Sequence, residues 1–233
     1  MKNLLKDQEI KNDIDQFLKS LDRHPLKYLA DNPIFRESKN LYKGLTTSSS
    51  LTRIYKYIFK VLLGGEYCYQ EFERELGLLS KVAYKFFSTN KPTFRKYKLL
   101  LTAQEYVDDC LGMSVLDIFE LVNKFSCQGI FSKEDDIYFF SHVSLQEFLT
   151  AKYIYENDLS NKCILENIAD PRYFNVFIFL VEMLKMKSDH FLAMIYAYYK
   201  GSKNPYVKDL LLECKQRAIY VDKAIWQLIE KSL

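Results

Sequence analysis

The chain has 233 residues, nearly half of them apolar and with Tyr and Phe unusually frequent. That is enough to build a substantial core in one large or two to three small domains, and it excludes disorder as the default reading. The formal charge is only +3, with acids and bases interspersed, so nothing in the balance asks for nucleic acid or an anionic membrane as partner.

Almost every segment repeats at helical period. Ile14, Phe17, Leu18 and Leu21 form a first short stripe, and a loop region over 24–50 follows, broken by Pro25 and Pro33. The next helix carries Leu51, Ile54, Tyr55, Ile58 and Leu62 on one face, with Gly64-Gly65 as its stop. An amphipathic helix with Phe72, Leu76, Leu79, Val82, Ala83 and Phe86 runs to a break at Asn90-Lys91-Pro92. Two shorter helices are expected over 103–110 and 114–125, the second burying Val115, Ile118, Phe119 and Val122. The only convincing β signal comes after them: 129–132 and 137–140 flank the charged turn Lys133-Glu134-Asp135-Asp136 and read as a hairpin. Three helices and a terminal hairpin, spanning about 67–141, make a winged-helix arrangement.

A strand-to-helix corner follows. Ser144 and Glu147 have the S-x-x-E spacing of a capping box, with Val143 and Phe148 placed as its hydrophobic staple, and His142 lies beside the positive end of the new helix. Asp170-Pro171 then reads as an N-cap with proline at the first helical position. It opens a helix with Phe174, Phe177, Ile178, Val181 and Leu184 on one stripe. Further stripes are Phe191, Leu192, Ile195 and Tyr199; Val207, Leu210, Leu211 and Cys214; and Val221, Ala224, Ile225, Leu228 and Ile229. The fold expected is therefore mainly α: a helical domain, a winged helix with a small β-hairpin, and an α-helical bundle or superhelical segment. The boundaries fall at 1–63, 64–143 and 144–233.

Five cysteines (Cys68, Cys110, Cys127, Cys163 and Cys214) stand far apart without a C-x-x-C pair. They read as buried thiols of a reduced cytosolic protein rather than as disulfide or zinc ligands. The opening residues turn charged too soon for a secretory signal, and no apolar run reaches the ~18 residues of a membrane helix. A soluble, cytoplasmic protein is expected. His24 and His190 lack partners at catalytic or metal-ligand spacing, and Asp108-Asp109 and Glu134-Asp135-Asp136 read as solvated carboxylates. No catalytic residue and no metal site are expected, and Glu147 reads as structural.

Three patterns in order resemble the NACHT family of signal-transducing NTPases. Leu29-Ala30-Asp31-Asn32-Pro33-Ile34 is similar to the asparagine-proline segment of that family's small helical domain. Leu51-Thr52-Arg53-Ile54-Tyr55 is similar to its threonine, leucine-tyrosine helix start, with Ile54 in place of leucine. The stretch from Phe140 to Ala151 resembles its signature of phenylalanine, histidine, serine, glutamine-glutamate and phenylalanine, and Lys81-Val82-Ala83-Tyr84 its alanine-centred winged helix. The resemblance implies that His142 touches a nucleotide phosphate and that Pro33 lies against the adenine base, and makes the chain the part that follows the family's ATPase core.

No G-x-x-x-x-G-K-[ST] loop and no apolar strand ending in paired carboxylates occurs in the sequence. In isolation no cofactor is expected, since ADP or ATP needs a core supplied elsewhere. The resemblance thus implies a non-catalytic regulatory module. It would pack over a nucleotide-loaded ATPase core and control oligomerisation, in signalling, innate immunity or defence. Its partners would be an NTPase core domain or other protein chains, with homo-oligomerisation on activation and no specific nucleic acid or membrane. Two alternatives are a winged-helix DNA-binding regulator and a helical interaction scaffold. The first is disfavoured by Asp117 and Glu120 on the candidate recognition helix.

Overall fold

A computed structural model describes residues 50–63, 69–109 and 115–232. Pro33, the first stripe, the stop at Gly64-Gly65, Cys68, Cys110 and most of the expected first domain lie outside the described residues. The fold is mainly α, with one small three-stranded antiparallel sheet.

Helix α1 (Leu51–Leu62) buries Ile54, Tyr55, Ile58, Phe59 and Leu62, the face expected from the 3–4 spacing. Ser50 caps it, accepting from the Arg53 N–H. Helix α2 (Tyr69–Ser88) buries Phe72, Leu76, Leu79, Val82 and Phe86. It ends in a Schellman motif: Asn90 sits in the left-handed region at φ 54°, with the Asn90 N–H on the Phe87 carbonyl and the Lys91 N–H on that of Phe86. Pro92 then prevents any return to helix.

A strand absent from the sequence reading follows at once. Strand β1 (Thr93–Arg95) pairs antiparallel with the second strand of the hairpin, Ile137–Phe140, and α3 (Lys96–Asp109) starts seven residues before the helix expected at 103. Helix α4 (Val115–Cys127) buries Ile118, Val122 and Phe125. Phe119, expected inside, is instead 37% exposed with the Lys96 ammonium 4.0 Å above its ring. The hairpin forms as expected, but its loop is tighter: β2 (Phe131–Glu134) and β3 (Ile137–Phe140) leave only Asp135-Asp136 between them, with Asp135 at φ 52°. The sheet order is β1-β3-β2. Helix, strand, two helices and hairpin in this connectivity make a winged helix over 69–140. Its core holds Phe86 stacked on Phe94 at 4.2 Å, with Phe131 and Phe140 edge-on.

The remainder is helical. Helix α5 (Val143–Glu156) is buried over nearly its whole length, against α2 on one side and, on the other, α7 (Phe174–Leu184). Helix α6 (Ser160–Asn167), not expected from the sequence, lies between them in the chain. The Asp170 carboxylate caps as expected, accepting from the Arg172 N–H, but the turn it opens is 3₁₀ over Pro171–Tyr173 before α7 begins. Helix α7 is not one-sided: every residue from Val176 to Met183 is buried, which makes it a central helix rather than a face. Helices α8 (Ser188–Ser202) and α9 (Pro205–Arg217) pack around it through the expected stripes. The terminal α10 (Lys223–Ser232) lies on α8 and, of its expected stripe, only Ile229 is buried.

Candidate functional site

The corner between β3 and α5 is where the winged helix meets the helical bundle. Strand pairing persists one residue past β3, because the Ser141 N–H donates to the Ile130 carbonyl. The chain is therefore still extended at His142 (φ −144°, ψ 136°), and the first helical residue is Val143. The cap falls on His142. Its Nδ1 accepts from the Ser144 N–H at 3.2 Å and lies 2.6 Å from the Ser144 hydroxyl. This corrects the capping box: Ser144 is inside the helix, Glu147 does not close back on the cap, and Val143 is 58% exposed instead of stapled to the buried Phe148. Ser-x-x-Glu spacing fits a box only when the serine is the last extended residue, and the ladder bond at Ser141 ends the extension at His142.

The role of His142 within the fold fixes its chemistry. A ring nitrogen that accepts an N–H uses its lone pair to do so, and this cap therefore favours the neutral imidazole with its proton on Nε2. Partial burial works in the same direction, holding its pKa below the ordinary 6.5. Ser144 is itself buried and is hydrogen-bonded to the Tyr55 phenol of α1. A serine hydroxyl 2.6 Å from an imidazole has the spacing of a nucleophile and base. Here the hydroxyl lies between a phenol and a cap and, with Tyr55, lines a cavity of about 210 Å³, and its bond to Nδ1 orients the imidazole.

Glu147 points across to α7. Both its oxygens accept from the Asn175 amide, at 3.0 and 3.1 Å, while burial raises its pKa and the Asn175 bonds partly offset that rise. A second carboxylate on α7 does similar work. Glu182, 3% exposed, accepts the Leu51 N–H at 3.3 Å and the Thr52 N–H at 2.7 Å, so the positive end of α1 is closed by a side chain 130 residues away in sequence. The rings of Tyr55, Phe59, Phe148 and Phe179 fill the space below, with centroids 4.9–5.6 Å apart. The same cavity of about 210 Å³ opens beside this cluster, between Leu51, Tyr55, Glu147 and Asn175.

The structure thus brings His142, Ser144 and Glu147 together with Tyr55, Asn175 and Glu182, which the sequence reading did not single out. A signal was present for two of them: Asn175 and Glu182 are the only polar residues of α7, seven apart, which places them on one face two turns from each other. Pro33 lies outside the described residues. His190 is exposed on α8, and the carboxylates at 134–136 are exposed at the hairpin tip. Among the described residues no group of histidine, cysteine and carboxylate side chains could hold a metal ion. None of their helices is long and apolar enough to cross a membrane. Of the cysteines, Cys163 and Cys214 are buried free thiols as expected, Cys163 pushed up to about 12 by desolvation, whereas Cys127 is exposed. On α4, Lys124 is taken up by Glu75 at 2.6 Å, which leaves that helix without the free cations a DNA-reading helix uses. No protein-family profile matches this sequence, and no curated protein matches it.

Proposed function

We propose that this chain is a non-catalytic regulatory module of a NACHT-type NTPase switch, packing over a nucleotide-loaded ATPase core and controlling assembly with other protein chains in signalling or defence. The observation that carries the reading is the corner itself. A neutral imidazole, oriented by its own helix cap and by Ser144, stands where a winged helix joins a helical bundle, in the register Phe140-x-His142-x-Ser144-x-Gln146-Glu147-Phe148. A preset imidazole suits a conditional phosphate contact. Its Nε2–H can donate to a phosphate oxygen, and the contact depends on a core that brings the nucleotide. The links from the corner through Tyr55 to α1 also suit a switch, because motion of α1 and of the winged helix would be felt at one place.

The test uses the purified chain. With millimolar Mg-ADP or Mg-ATP we expect no hydrolysis above a buffer blank and no rise in melting temperature, whereas addition of a partner ATPase core should make ADP retention sensitive to His142→Ala. Turnover by the isolated chain overturns the proposal, as does tight, salt-sensitive binding to duplex DNA.

A further inference from the structure

A groove at the open edge of the winged-helix sheet is built for a different ligand. Among the described residues strand β1 pairs only with β3. Its register (Phe94 opposite Tyr138) and the Lys96 N–H bond to the Asp136 carbonyl show that Phe94 and Lys96 turn their backbone groups inward. Antiparallel alternation therefore turns the N–H and carbonyl of Thr93 and the N–H of Arg95 out to the free edge. A cleft of about 360 Å³ lies at that strand, and among the described residues its lining carries Lys91, Arg95 and Lys98 but no carboxylate. None of these three cations makes an ion pair among the described residues.

A second cleft of about 220 Å³ shares Phe86 and Lys91 with the first and has Phe87, Pro92 and Val143 as apolar walls. Gln146 lines it. The residue is 6% exposed, and among the described residues its buried amide Nε2 has no hydrogen-bond partner.

We propose that this groove binds an extended acidic peptide from another protein chain, carrying one apolar anchor residue. The peptide adds to β1, meeting the outward groups of Thr93 and Arg95 with its own backbone. Its carboxylates lie against Lys91, Arg95 and Lys98, and its apolar side chain enters the pocket of Phe87, Pro92 and Val143. Peptide is favoured over nucleic acid because the groove pairs its cations with open strand groups and lies beside an apolar pocket. The inference does not depend on the NTPase reading.

The probe is a fluorescein-labelled decapeptide of glutamates with one central leucine, followed by anisotropy against the full chain. Its lysine counterpart serves as control. The acidic peptide should bind and the lysine peptide should not. Arg95→Glu with Lys98→Glu, both exposed, should weaken binding by at least about tenfold, as expected for reversing two contacts. Thr93→Pro, which deletes one outward N–H, should weaken it several-fold with melting temperature tracked in parallel. Equal binding of the two peptides, indifference to the charge reversal, or preferential capture of a single-stranded oligonucleotide or of anionic vesicles by the same residues would overturn the proposal.

Discussion

Glu182→Ala tests whether the buried carboxylate at the start of α1 holds that helix to the bundle. Glu182 receives two backbone N–H groups, at 2.7 and 3.3 Å, and is 3% exposed. Hydrogen bonds to a charged group contribute about 1.5–3 kcal/mol each when well formed; the shorter one meets that standard and the longer one is weaker. The helix dipole adds roughly 0.3–1 kcal/mol. Against this stands the cost of keeping a carboxylate out of water, several kcal/mol before compensation. Removing the side chain recovers that cost but strands the Thr52 N–H, in a residue that is itself buried, at about 1–3 kcal/mol. The balance predicts a loss of about 2–3 kcal/mol for Glu182→Ala. For Glu182→Gln, which keeps one acceptor oxygen, it predicts about half as much. Urea unfolding gives the global value, and hydrogen exchange at the α1 amides shows whether α1 detaches alone. A loss below about 0.5 kcal/mol with unchanged exchange over 51–62 would refute the reasoning, since surface substitutions lie in that range.

The cap at His142 gives a pH dependence with a definite sign. Its folded pKa is depressed below 6.5, so the unfolded chain binds the proton more readily. The stability it contributes is complete above about pH 6.5 and is lost as pH falls through the folded value. Unfolding free energy of the wild type relative to His142→Asn, which caps without titrating, should be flat from pH 8 to 7 and decline below 6.5. Parallel curves throughout would contradict the assigned Nδ1 acceptor. Phe148→Ala should cost about 3–5 kcal/mol, as for other large-to-small core changes. Its ring is fully buried between Tyr55, Phe59 and Phe179, and loss of near-ultraviolet circular dichroism would accompany the drop in melting temperature. A drop under about 1 kcal/mol would mean that the ring is not the centre of that cluster.

Legibility of the sequence followed the size of the periodic signal. Helices α1, α2, α8 and α9 were readable because each shows a single apolar face over three or more turns, and the hairpin because four charges separate two aromatic-aliphatic runs. Strand β1 was not. Thr93-Phe94-Arg95 is one buried residue between two exposed ones, and its pairing partners lie 42 to 46 positions away. Helix α6 was hidden for a similar reason, since only Ser160, Cys163 and Ile164 are buried along it. At the corner, spacing alone fits Ser144 or His142 as cap; the ladder bond from Ser141 to Ile130 decides it, and that bond depends on a tertiary hairpin. Tyr55 looked like another stripe residue, because nothing local says its hydroxyl meets Ser144.

The two polar residues of α7 have a consequence for how the bundle is aligned. Apolar faces attract but tolerate sliding, since a leucine finds a similar hollow one turn along. Asn175 and Glu182 stand about 10 Å apart on one rigid rod at 1.5 Å per residue, and each accepts only one match: Asn175 the carboxylate of α5, Glu182 the open N-terminus of α1. They work as two pegs on a ruler. Each neighbour is fixed lengthwise against the same scale, so α1 and α5 are indexed to one another although few of their residues meet. Replacing both pegs by leucine should leave a protein that still collapses around α7 but has lost the marks that tell its helices where along the rod to stop.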